Sequence, residues 1–422
     1  MLVKQSSHPS IPSIALFLLA ICGLGCLLYG FYFSRVVSNV GLLLSGTFAL
    51  IHWKDLGVLL KDKWFYTIIG IVGIVIISDV LWEGKNFFMY HGVMKAALLV
   101  YPMLLYTVLK KYASLKFWIP MVIIVSVLLS TIYSLSAYII DFEHINQSYK
   151  SSGILPVLSY GDHIRIAWMS VISIVLAFQC LGSTSSRALK IFLYSFIVLE
   201  LVFLHILGSK TGLITLYIAL FVLFLYALPT KYVWLSPLII AVIIALPIAA
   251  YHIFPTFKER VHFIKYDFEH YSQGRYRPGL SDAIRLYSIQ AGMSFIKESP
   301  ILGKGFSRLR NLTREWYVKE QPDVPPSSYF LPSSEFIIYW AGGGLLGLMA
   351  IMWHILYPFF KRELVRDKFF VAFFLGAAVC FLFETPLEGQ LPLFVYGFFI
   401  SWFWLMAKYF HHEHYSGNNL TS

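Results

Sequence analysis

The sequence predicts an all-α protein, a polytopic transmembrane bundle of about twelve helices with one large polar loop. Three observations carry this. Of 422 residues, 58% are hydrophobic and 13% charged, where a soluble domain carries about 25% charged residues. Apolar runs of about 17 to 25 residues, enough to cross the hydrocarbon, follow one another along most of the chain. Aromatics reach 18%, which suits Trp and Tyr belts at two membrane interfaces. A chain this apolar needs lipid to solvate it.

The expected spans are 11–33, 36–53, 64–82, 93–109, 117–140, 164–182, 191–208, 211–229, 234–253, 334–357, 369–385 and 391–408. The run from Ile11 is long enough to remain as an anchor. About fifteen Lys and Arg fall in one set of short loops and about five in the other, so the first set is expected inside the cell. Both termini then lie inside. The whole chain, 1–422, reads as one membrane domain, and 254–333 reads as a loop inserted on the outer side. That loop holds twelve Lys and Arg against eight acids, an excess that asks for an anionic partner. Within it, Ser281 to Lys297 reads as an amphipathic helix, with Ser281 as its cap and Pro300 as its stop. Cys22, Cys26, Cys180 and Cys380 all fall in apolar runs and read as small hydrophobes, not as disulfides or metal ligands.

Five stretches are candidates for chemistry. Gly208-Ser209-Lys210-Thr211-Gly212 lies between two spans at the outer face, where small residues allow a tight turn and Lys210 offers a cation to a leaving diphosphate. The bland reading is a turn with a snorkelling lysine. Arg275, Arg277 and, on the loop helix, Arg285 have the forked geometry that grips phosphate, or they form a solvated basic face. Ser333, Ser334 and Glu335 open a span that continues into Gly342-Gly343-Gly344-Leu345-Leu346-Gly347. Glu335 is a candidate base, and the same residues also read as a helix cap. Asp162, His163 and Arg165 put an acid, an imidazole and a cation within one turn, or simply cap a span. Asp-Phe-Glu-His recurs at 141–144 and 267–270, as a divalent-cation site or as chance. Inside the spans, Asp79, Lys95, Glu200 and His205 are costly. Asp79 and Lys95 are expected to reach the interface, and Glu200 needs a partner.

With these pieces placed, the chain resembles the superfamily of O-antigen ligases and O-antigen polymerases, bacterial inner-membrane glycosyltransferases. The Gly-Ser-Lys-Thr-Gly turn is similar to the family's Gly-Ser-Arg-Gly turn. Ser281 to Gly305, ending Ser299-Pro300-Ile301-Leu302-Gly303-Lys304-Gly305, resembles its arginine-bearing loop helix. Pro332 to Gly347 resembles its His-Asn segment with the downstream Gly-Leu-Leu-Gly. The order and spacing of these parts, over residues 160 to 385, carry the resemblance.

The resemblance implies a GT-C-like bundle in the bacterial inner membrane, with a periplasmic loop containing short helices. It implies metal-independent, inverting transfer of a glycan from an undecaprenyl-diphosphate donor to a glycan or lipid acceptor, with no cofactor and no nucleic acid. Arg285 and Lys210 then hold the diphosphate. Arg165, Arg275, Arg277, Ser334 and Asp162 assist in binding it or the glycan. Two departures stand out. Lys210 replaces the usual arginine, keeping the charge and losing the fork. Ser333 replaces the histidine of the ligases, and a serine is no base unless activated. The proton then falls to Glu335 or His163, and the balance moves from ligase toward polymerase. Two other classes compete: a flippase of lipid-linked glycans, which gathers polar residues at mid-depth, and a non-catalytic scaffold of the polysaccharide machinery.

Overall fold

A computed structural model describes residues 11–83, 91–273, 276, 277 and 279–410. Arg275 lies outside them. The described chain is helical. The helices are α1 (Ile11–Phe33), α2 (Arg35–Ile51), α3 (Lys63–Glu83), α4 (His91–Lys111), α5 (Leu115–Ile140), α6 (Phe142–Ser148), α7 (His163–Ser183), α8 (Arg187–Leu207), α9 (Lys210–Ala227) and α10 (Ser236–Ile253). After these come α11 (Pro255–Ser272), α12 (Ser281–Glu298), α13 (Leu309–Glu320), α14 (Glu335–Leu356), α15 (Arg362–Arg366), α16 (Lys368–Phe383) and α17 (Gln390–Leu405).

Each expected span coincides with a helix. Among the described residues, nine helices are long and apolar enough to cross a membrane. The figure is ten if α2 and the bent segment Trp53–Lys61, 81° away, form one broken span. The short α16 falls below the length of the others. Length and composition thus single out nine or ten of the about twelve expected spans, with α4 and α16 outside that group.

The charged turns gather at two opposite ends of the bundle. At one end, Asp55 pairs with Lys110 at 2.8 Å, and Asp62 holds Lys408 and the Tyr409 hydroxyl, each at 2.7 Å. Between the ends, His354 of α14 links α3 and α17, through Thr67 at 2.8 Å and Tyr396 at 2.6 Å. At the other end sit the starts of α7, α9 and α14, the end of α16, and α11–α13.

The segment between α10 and α14 builds a small core of its own from Phe263, Leu280, Ala283, Tyr287, Tyr317 and Val324. Tyr317 stacks on Tyr329, with centroids 4.7 Å apart, and donates to Ile284 O of α12 at 3.2 Å. The cap expected from Ser281 comes instead from another helix. Asp267 of α11 accepts the Asp282 and Ala283 N–H groups at 2.7 and 3.0 Å, which satisfies the first turn of α12.

The two glycine-rich motifs meet. At Gly344 (φ 64°, ψ −153°) α14 leaves helical geometry. The opened backbone pairs with the strap after α12. Lys304 N–H donates to Ala341 O at 2.7 Å, Gly305 N–H to Gly342 O at 2.9 Å, and Leu345 N–H to Ile301 O at 3.1 Å. Side chains are excluded there. A Cβ on Gly303 (φ +72°) would lie 2.5 Å from Gly342 O. Glycine therefore lets main chain clamp α12 to α14, with Trp340 Nε1 donating to Pro300 O at 3.0 Å beside it, which helps fix where α12 carries Arg285.

Candidate active site

Three adjoining cavities open at the end of the bundle that carries α11–α13. The first, about 240 Å³, is walled by Lys210, Arg260, Arg285, Asp282 and His163 among others. The second, about 410 Å³, is walled by Arg165, Arg285, Arg310, Ser333, Glu384 and Glu388, with Tyr329 and Phe330. The third, about 210 Å³, adds Arg35, Asp162 and Gln390. Ile164, Ser281 and Arg285 border both the first and the second. Arg165, Thr385 and Glu388 border both the second and the third.

Each cation is placed by a local device. Gly208 ends α8 in the left-handed region (φ 60°), so the chain turns within two residues into α9 and Lys210 starts that helix. Tyr149 OH and Thr256 Oγ1 cap the last carbonyls of α8, at Leu207 (3.1 Å) and Ile206 (2.7 Å). Arg260 lies over the Tyr149 ring, 4.8 Å from its centroid, and donates to Gly153 O at 3.1 Å. Burial pushes the Arg260 guanidinium down from its ordinary value. Arg285 sits one turn into α12, with Nη2 2.6 Å from Glu384 Oε1 and Nη1 3.4 Å from Phe383 O. Lys210 is ion-paired with Asp282.

The structure thus brings together Lys210, Arg285, His163, Arg165, Ser333 and Asp162. Ser333 shares a hydrogen bond with Ser288, Oγ to Oγ at 2.9 Å. Asp162 caps α7 by accepting Arg165 N–H at 3.2 Å and lies 3.6 Å from the Arg165 guanidinium. Three other candidates stand elsewhere. Glu335 is fully buried and walls none of the three cavities. Its Oε1 accepts Leu387 N–H at 2.5 Å, so it touches the loop after α16 from beneath. Ser334 is buried and donates to Phe381 O at 3.3 Å, so its hydroxyl ties α14 to α16. Arg277 is exposed and donates to Tyr266 OH at 3.2 Å, away from the cavity walls.

Several site residues are not legible as such in the sequence. Glu384 and Glu388 flank Thr385-Pro-Leu between the last two spans, and Glu388 is ion-paired with Lys95. Lys95 is fully buried beneath that end of the bundle, 4.7 Å from the Tyr339 ring centre. Asp282 lies one turn before Arg285. The one signal available was position, two acids in a short loop on the face that carries the cations.

In chemical terms, the first cavity presents Lys210, Arg260 and Arg285 to an anion. The second pairs carboxylates with arginines and aromatic faces, a lining suited to a sugar. Among known families, residues 193–352 match the family model described as O-antigen ligase, which covers α8 to α14 nearly entire. No curated protein matches the chain.

Proposed function

We propose, for a multi-pass membrane chain whose residues 193–352 match the O-antigen ligase family model, that it is an enzyme of polysaccharide biosynthesis and transfers a glycan from a polyprenyl-diphosphate donor to a glycan acceptor at the periplasmic face. The donor lipid is undecaprenyl diphosphate, and the membrane is the bacterial inner membrane with both chain termini in the cytoplasm. The observation that carries this reading is the convergence of Lys210, Arg260 and Arg285 on one cavity, from three different helices.

The diphosphate sits among these three cations, which take up the charge that develops as the lipid leaves. The acceptor lies in the second cavity against Tyr329 and Phe330, with Ser333 beside its hydroxyl. Attack on the anomeric carbon from that side inverts its configuration. Arg165 stands between the second and third cavities and holds the next sugar of the acceptor chain. The cavity-lining charges gather at helix ends, not at mid-depth, which supports an enzyme over a transporter. The serine at position 333, with no histidine to activate a lipid core, favours chain extension over ligation.

Purified protein in liposomes, given a lipid-diphosphate oligosaccharide, should release lipid diphosphate and build a ladder of longer glycans. Arg285→Ala should abolish both while the protein still elutes as wild type. Wild-type activity in that variant removes Arg285, and the reading with it.

A further inference from the structure

We infer that Glu384 is the general base of the transfer, held by Arg285 until the donor diphosphate takes that guanidinium. The inference rests on the glycosyltransferase reading and names a catalytic residue for it.

An inverting displacement needs its nucleophile and its leaving group on opposite faces of the anomeric carbon. The two larger cavities meet at Arg285, with Lys210 and Arg260 on one side and the carboxylates Glu384 and Glu388 on the other. A sugar whose diphosphate lies in the first cavity presents its opposite face to the second. A base must stand there, within reach of the acceptor hydroxyl.

The alternatives are placed otherwise. His163 walls the cation cavity, on the leaving-group side. Glu335 has no access to any of the three cavities. Asp162 walls the third cavity and caps α7. Glu388 is ion-paired with the buried Lys95. Ser333 has only a hydroxyl, bonded to Ser288. Glu384 alone joins the two halves: it walls the acceptor cavity and lies 2.6 Å from the guanidinium that borders both.

The contacts of Glu384 describe a catch. Arg285 Nη2 and Thr211 Oγ1 (2.8 Å) both donate to Oε1. A diphosphate oxygen competes for the same Arg285 donor. When it wins, Oε1 keeps the Thr211 hydroxyl, which orients it, and becomes available to a proton. The carboxylate is then armed when the donor is seated, and water is not activated in the donor's absence. The acceptor oxygen forms the new bond to the anomeric carbon with its lone pair, and its proton passes to Glu384. The bond from that carbon to the diphosphate oxygen breaks with its electron pair, which leaves on the lipid diphosphate. Glu384 returns the proton to water.

The test uses full-length protein in liposomes with a lipid-diphosphate oligosaccharide. Glu384→Gln keeps the shape and removes the base. Transfer to the sugar hydroxyl should fall roughly 10²–10⁴-fold in kcat, with donor KM not raised. Azide, a nucleophile with no proton to lose, should restore donor consumption and yield the glycosyl azide, while Arg285→Ala should yield neither product. Hydroxyl transfer near the wild-type rate in Glu384→Gln overturns the assignment. So does loss of azide and hydroxyl transfer together in well-folded protein, which marks a purely structural role. If Glu384→Gln does not fold, Glu384→Asp decides: slowed hydroxyl transfer with intact azide transfer supports a base, and equal slowing of both refutes it. A wild-type protein that leaves lipid-diphosphate glycan unconsumed overturns the glycosyltransferase reading itself.

Discussion

Lys210 and Asp282 form an ion pair across 72 residues of chain, joining the start of a membrane helix to the first turn of the loop helix that carries Arg285. Both side chains are about one-third exposed, so the pair is worth at most about 1 kcal/mol. A diphosphate can displace it. Asp282→Asn should therefore lower donor KM, by up to about fivefold on that energy, with kcat little changed. Lys210→Ala should cost about 10²–10³-fold in kcat, and Lys210→Arg should retain activity because the charge is kept. Initial rates across donor concentrations check all three. A raised donor KM in Asp282→Asn would contradict the displacement.

Glu335 supports the site from below, and its two roles, anchor and base, separate cleanly by substitution. The amide oxygen of Glu335→Gln can still accept Leu387 N–H. That variant should keep most of its transfer rate, whereas Glu335→Ala should lose both rate and thermal stability. Equal inactivity of the two variants would make Glu335 a base after all.

Asp267 caps a helix to which it does not belong. Asp267→Ala orphans two backbone N–H groups at the start of α12. Loss of a cap costs about 0.5–2 kcal/mol, here at the helix that positions Arg285. The variant should unfold at lower temperature in detergent and show reduced kcat, and Asp267→Asn should be milder. Unchanged melting in Asp267→Ala would show that α12 is held by its clamp to α14 and needs no cap.

That clamp can be tested directly. Gly303→Ala forces a left-handed residue, worth about 1–3 kcal/mol of strain, and drives a methyl into Gly342 O. Gly70→Ala, on α3 with open space where the Cβ would go, is the control. Fluorescence-detected size-exclusion after heating should show early loss of Gly303→Ala alone. Equal behaviour of the two variants would refute the clamp.

Much of the fold was legible because bilayer thickness dictates the length of an apolar run, and the runs announce themselves. What an apolar run does not record is where its helix bends or stops short. α2 bends by 81° into Trp53–Lys61, and α16 is short. Within the site, residues fixed by local geometry were visible. Gly208 needs a turn and so exposes Lys210; Asp162 reads as a cap and is one. Residues fixed by long-range pairing were not visible. Arg285 and Glu384 lie 99 positions apart, Lys95 and Glu388 lie 293 apart, and no periodicity in the sequence records either pair. The cap of α12 is hidden in the same way: Ser281 has the residue type for it, but the carboxylate that serves comes from Asp267 on the preceding helix.

The central claim is that Lys210, Arg260 and Arg285 together seize a lipid diphosphate. Its most direct test is equilibrium binding of polyprenyl diphosphate, against polyprenyl monophosphate, to wild-type protein and to Lys210→Ala/Arg285→Ala in nanodiscs. Wild type should prefer the diphosphate, and the double variant should bind the two lipids alike and weakly. Undiminished diphosphate preference in the double variant would contradict the account.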